Sequence, residues 1–103
     1  MAFETGSFDT TLAAAAGDDP GLLIELRHGY GLSVAHQLDL LVRSRCDSNW
    51  AMAAARMRSL AAGFHDTALM DLAEMALAAA PGEPTIIDAI ADHLDQLGHL
   101  PAG

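Results

Sequence analysis

The chain contains no lysine, a single cysteine and only five aromatic residues in 103. Each scarcity excludes something. A lone Cys46 cannot form an internal disulfide, and no Cys/His spacing describes a zinc site, so Cys46 reads as a small residue near a helix end. With so few aromatics, the core must be built from Ala, Leu, Ile and Met. Small side chains of this kind suit closely packed helices, and Ala and Leu are strong helix formers. β-branched residues are few and no apolar/polar alternation occurs, which argues against a sheet. No apolar run reaches the length of a bilayer span. Met1 to Gly6 carries no basic residue and Leu12 to Ala16 is too short for a signal peptide, so a cytoplasmic protein is expected.

Fourteen acids against five arginines leave a formal net charge of −9, which disfavours nucleic acid and anionic membranes as partners. The distribution is more informative than the sum. Arg27, Arg43, Arg45, Arg56 and Arg58 all fall in the second and third helical segments, a local basic patch on an acidic body, suited to an acidic partner pocket.

Five helical segments are expected. Phe8 to Ala16 forms a short first helix, started by Ser7 or Asp9 and ended by Gly17. Asp19 and Pro20 give the next an N-cap and a first-turn proline. That helix runs to about Arg45, with Leu23, Leu26, Tyr30, Val34, Leu38 and Leu41 on one stripe and a bend expected around Gly29 and Gly31. Asp47 or Ser48 caps the third helix, which runs to about Phe64 on a stripe of Trp50, Ala53 or Ala54, Met57, Leu60, Ala61 and Phe64. Asp66 and Thr67 open the fourth, with Leu69, Leu72, Ala73 and Ala76 inward, before Pro81-Gly82. Glu83-Pro84 opens the fifth, with Ile86, Ile87, Ile90, Leu94 and Leu97 inward, and Gly98 to Gly103 is expected as a frayed tail.

Four of these pieces, taken in order, resemble a histidine-containing phosphotransfer (HPt) domain. They are Gly17-Asp18-Asp19-Pro20 before a leucine-rich helix, Asp47-x-x-Trp50, the frame Ala54-x-x-Met57-Arg58-x-x-Ala61, and a following helix opening on Ala68-Leu69. The family's central helix reads Ala-His-x-Leu-Lys-Gly-x-Ala, and its histidine carries phosphate. Here Ala55 occupies that position, Arg58 stands for the lysine and Ser59 for the glycine. The resemblance implies an all-α fold: an antiparallel up-down four-helix bundle with a short extra N-terminal helix, one domain over residues 1–103 with its core at about 7–97. It implies no phosphate transfer, because alanine has no nitrogen to phosphorylate. The partner implied is a response-regulator receiver domain or a histidine kinase, docked on Ala55, Arg56, Arg58, Ser59 and Ala62.

No catalytic residue, cofactor, metal ligand or small-molecule substrate is expected, since no nucleophile–base motif, phosphate loop or i, i+4 histidine pair occurs. His28 and His36 are expected to face solvent, His93 to flank the Ile90/Leu94 stripe, His99 to lie in the tail, and His65 to interact with free carbonyls at a helix end. Asp92 and Asp95 read as a solvated face. Two other classes stand beside this reading. One is a working phosphotransfer protein using His65 or His36, and the other an unrelated helical interaction module.

Overall fold

Five helices, α1 (Ala2–Ala16), α2 (Pro20–Arg43), α3 (Asp47–Gly63), α4 (Thr67–Leu77) and α5 (Pro84–His99), make up the computed structural model. It describes residues 2–99, with side chains from Ser7 to Leu97, and no strand occurs among the described residues. The protein is all-α. Its described part measures 44 × 24 × 21 Å.

The connections follow the turn chemistry of the sequence. Gly17 takes φ +65° after α1 and its N–H reaches the Ala13 carbonyl at 3.0 Å, a glycine C-cap. Asp19 then accepts from the Gly21 and Leu22 amides at 3.0 and 3.2 Å, with Pro20 in the first turn of α2. Between α4 and α5, the Glu83 amide bonds the Ala80 carbonyl at 3.3 Å, and Pro81 and Gly82 (φ +83°) occupy the central positions. Proline followed by a positive-φ glycine is the pattern of a type II turn.

Several boundaries differ from expectation. Helix α1 begins at Ala2, not at Phe8, and is fifteen residues long, so Ser7 and Asp9 do not cap it. Phe8, Leu12 and Ala16 are buried at intervals of four, and nothing before Ser7 stops the helix they anchor. The N-cap of α3 is Cys46, which makes no side-chain cap bond, with Asp47 already in the first turn, where a negative charge suits the positive helix end. Helix α2 closes two residues early, at Arg43, and α-helical geometry continues through Gly29 and Gly31. The expected frayed tail is helical at Gly98 and His99, and residues 100–103 lie outside the described residues.

Helix α3 packs on α2 and α4, α5 packs on the same two, and α1 lies against α2 and α4. Trp50, at the start of α3, donates its indole N–H to the Ala76 carbonyl near the end of α4 at 2.7 Å, so this pair runs antiparallel. That carbonyl belongs to the last turn of α4, where it also accepts the Ala79 amide at 3.1 Å in a tightened i to i+3 bond. The core joins Trp50, Ala53, Ala54, Met57 and Ala61 of α3 to Tyr30, Val34 and Leu41 of α2, Leu69, Ala73 and Ala76 of α4, and Ile86, Ile90 and Leu97 of α5. Leu23, Leu26, Leu38, Leu60, Phe64, Leu72, Ile87 and Leu94, expected inside, are only partly buried. Alanines at the helix contacts bring the backbones close, which leaves the larger side chains beside them at the margins.

Gly29 is exposed in mid-helix, and a Cβ there meets nothing within 4 Å. Gly29→Ala is therefore expected to raise the unfolding free energy by about 0.5–1 kcal/mol. Urea denaturation checks this; a loss of stability would show that the glycine serves a bend.

Candidate functional site

Two groups of residues carry chemistry: the outer face of α3, which the sequence indicated, and a buried polar cluster around Asp66, which it did not.

On α3, Ala54, Met57 and Ala61 are fully buried. One residue on from the first of these, Ala55 is half-buried, and Arg56, Arg58, Ser59 and Ala62 are exposed. The helical period thus turns the frame Ala54/Met57/Ala61 to the core and leaves small residues at the centre of the outer face. The two arginines diverge. Arg58 leans toward α4, where its Nη1 lies 3.9 Å from Glu74 Oε2 with both side chains largely exposed, a loose pair worth little. Arg56 lies on the α2 side, in the wall of a cleft that also includes Arg43 and Met52. Neither Arg45 nor Arg56 forms an ion pair among the described residues. Arg27 joins α2 to α1 through Asp9 at 2.9 Å, so it belongs to the structure of the bundle and not to this face.

The α3–α4 corner holds the second group. After α3 the Asp66 amide bonds the Ala61 carbonyl at 2.9 Å and the His65 amide bonds Ala62 at 3.2 Å, the double bonding of a Schellman ending. The left-handed position in it is His65, at φ +57°, where glycine is usual. His65 is exposed, and its Nδ1 lies 2.8 Å from Thr11 Oγ1 of α1. The expectation that its ring serves free carbonyls is corrected: the strained backbone aims the side chain at α1.

Asp66 is the one buried charged residue among those described, at 3% exposure. Its Oδ1 caps α4 by accepting the Leu69 amide at 3.3 Å. Its Oδ2 accepts the Tyr30 hydroxyl of α2 at 2.7 Å and lies 2.8 Å from His93 Nε2 of α5. An ionised carboxylate only accepts, so Nε2 carries the proton in this bond. Phe8 and Phe64 flank the Tyr30 ring with centroids 5.0 and 4.7 Å away. Burial raises the Asp66 carboxyl. The hydrogen bonds from His93 and Tyr30, the attraction of a protonated His93 and the Leu69 amide outweigh that effect, so Asp66 is held below the usual carboxylate range. Burial, and then the bond to Asp66 and its charge, push the Tyr30 phenol well above its usual range.

Sequence reasoning placed Asp66 as a cap and His93 beside a stripe, which is correct for each alone; their 27-residue separation concealed the pair. His28 and His36 face solvent. Cys46 is exposed, and its thiol is held below its usual range by the Ser48 hydroxyl at 3.5 Å and then by the Asn49 amide. Among the described residues no three His, Cys, Asp or Glu side chains gather as a metal site, and no helix is long and apolar enough to cross a membrane. Compared with known protein families, with curated proteins and with solved structures, the chain matches none.

The lowered Asp66 value sets a pH dependence. Stability contributed by the ionised carboxylate is complete above the ordinary carboxylate range and is lost as pH falls below that range, through the depressed value of the folded state. Asp66→Asn is expected to cost about 1–3 kcal/mol near neutral pH, since one oxygen's partners are left badly matched. Its deficit relative to the parent should shrink on acidification. Chemical denaturation of both proteins between about pH 7 and pH 3 tests this; a deficit independent of pH would mean the carboxylate is not ionised in the native state.

Proposed function

We propose that the chain is a non-phosphorylatable HPt-like signalling domain that binds a receiver domain or histidine kinase of a two-component phosphorelay through the outer face of α3. The observation that carries this reading is the three-dimensional register of the frame. Ala54, Met57 and Ala61 are buried behind position 55, while Arg58, Ser59 and Ala62 are exposed around it. A phosphate carrier needs this arrangement: a mid-helix site, small neighbours so that another domain can approach, and a cation nearby for an acidic pocket or a phosphoryl group.

The finer architecture belongs to the same reading. Helices α2 to α5 form an up-down four-helix bundle in the order of the chain, and α1 is the additional N-terminal helix laid against α2 and α4. In that frame α3 is the helix on which the family carries its histidine. All five histidines of this chain lie elsewhere. His65 is engaged by Thr11 and His93 by Asp66, so neither offers a free mid-helix ring. A domain of this kind occupies a receiver without draining its phosphate, and acts as competitor or adaptor.

The test is direct. Binding of purified receiver domains, measured by calorimetry, is expected to be abolished by Ala62→Trp, whose side chain points outward and leaves the bundle folded. Arg58→Glu is expected to slow association roughly tenfold at low ionic strength, and less as salt is added. Ala55→His restores the missing nitrogen and is expected to accept acid-labile, base-stable phosphate from a phosphorylated receiver, where the parent accepts none. A folded Ala55→His protein that neither binds a receiver nor takes phosphate would assign the bundle to an unrelated interaction module.

A further inference from the structure

The cleft between the end of α2 and the start of α3 has a composition that the α3 face alone does not explain. Its volume is about 200 Å³. Leu40, Met52 and Ala53 give it apolar walls, and Arg43, Ser44, Asn49 and Arg56 supply the polar part of the lining. Several of these polar groups are already occupied. Arg43 Nε is held by Asp39 at 3.1 Å, and the Ser44 hydroxyl donates to the Leu40 carbonyl at 2.8 Å. The Arg56 guanidinium remains, exposed and without an ion pair among the described residues. The cleft therefore offers one apolar seat and one uncommitted cation beside it, on a protein whose overall charge is −9.

We infer that this cleft is an anchor site for a partner protein, taking one aliphatic side chain of an acidic segment while a neighbouring carboxylate pairs with Arg56. Size argues for a side chain over a free metabolite. The cleft, at about 200 Å³, lies below the roughly 300–1,000 Å³ of sites that enclose small-molecule ligands, and a single inserted side chain is the mode by which interface anchors bind. Met52 is half exposed, and its unbranched thioether adapts to the shape of what enters. Charge selects the partner. The acidic body repels acidic segments in general, so attraction needs a local cation, and at this cleft the unpaired Arg56 supplies it. Arg56 directly follows Ala55, so one partner covering position 55 reaches the cleft as well. The inference rests on the reading of the α3 face as a docking surface and adds to it the chemistry of the occupant.

The probe is the peptide acetyl-Asp-Leu-Asp-amide, titrated into the full chain and followed by NMR at the Leu40 and Met52 methyls and the Arg56 Nε–H. Saturable shifts at these groups are expected, with affinity falling roughly tenfold for acetyl-Asn-Leu-Asn-amide, for acetyl-Asp-Ala-Asp-amide and in Arg56→Glu. Arg56 is exposed, so its substitution leaves the fold intact, and the unchanged amide spectrum verifies it. Absence of saturable shifts, equal affinity for acetyl-Lys-Leu-Lys-amide, or shifts centred on Leu32 of α2 or Met75 of α4, exposed apolar side chains outside the cleft lining, would overturn the inference. So would tighter binding of isovalerate, a free carboxylate with the same aliphatic tail, which would make the cleft a small-carboxylate site. Failure here is distinguishable from failure of the receiver reading. Receiver binding that survives Arg56→Glu and Met52→Asp removes the cleft and keeps the docking face. Peptide binding without any receiver binding keeps the cleft and removes the phosphorelay.

Discussion

One buried carboxylate organises one end of the bundle. Removing a charge from water costs several kcal/mol, and only good geometry with further hydrogen bonds offsets that cost. Asp66 meets the requirement by receiving a donor from three separate elements: Tyr30 of α2, the Leu69 amide of α4 and His93 of α5. The chain can reverse from α3 into α4 where it does because those three donors converge there. His65 accepts the left-handed backbone just before Asp66, a conformation that costs a non-glycine residue about 1–2 kcal/mol. The Schellman bonds and the Thr11 contact hold it in place. Helix α1 is drawn into the same corner through Phe8 against Tyr30.

The polar ties elsewhere serve similar ends. Trp50 closes the opposite end of the α3–α4 pair by adding a second donor to the Ala76 carbonyl, which also accepts the Ala79 amide. Side-chain hydrogen bonds thus tie both ends of the α3–α4 pair. Such ties would serve the docking role proposed for the outer face of α3, because a surface already ordered loses little entropy on binding. The face itself contributes almost no bulk. Its alanines and serine let another molecule approach the backbone, and Arg56 and Arg58 stand to either side with their charges weakly or not at all committed. Acidic residues cover much of the remaining surface, which makes this strip a positive exception.

Much of the architecture was legible in the sequence because it rests on local chemistry. Asp19-Pro20, Pro81-Gly82 and Asp66-Thr67 mark helix ends through capping and turn geometry that involve only near neighbours. Along the α2 stripe Tyr30, Val34 and Leu41 are buried while Leu23, Leu26 and Leu38 are half-buried, and along α3 Trp50, Met57 and Ala61 form a buried face. The α3 frame was legible for the same reason, since helical period alone separates Ala54, Met57 and Ala61 from Ala55, Arg58 and Ala62. Less visible was the start of α1, where no residue signals a beginning and packing of Phe8 and Leu12 extends the helix backward. Half-burial of Leu60, Phe64, Leu72 and Leu94 also escaped, because periodicity assigns a face and not a depth.

What the sequence determined by itself is therefore the set of helices, those ends that capping and turn residues mark, and which side of α3 faces inward, together with the absence of histidine from the outer face of α3. Tertiary structure alone decided which polar groups meet. Asp66 and His93 look like a cap and a flanking residue until α4 and α5 are packed together. Arg56 and Arg58 look equivalent until α2 and α4 lie on either side of α3 and send one into a cleft and the other toward Glu74. Local propensity acts over a few residues, whereas partnership between distant side chains depends on how whole helices are laid against one another.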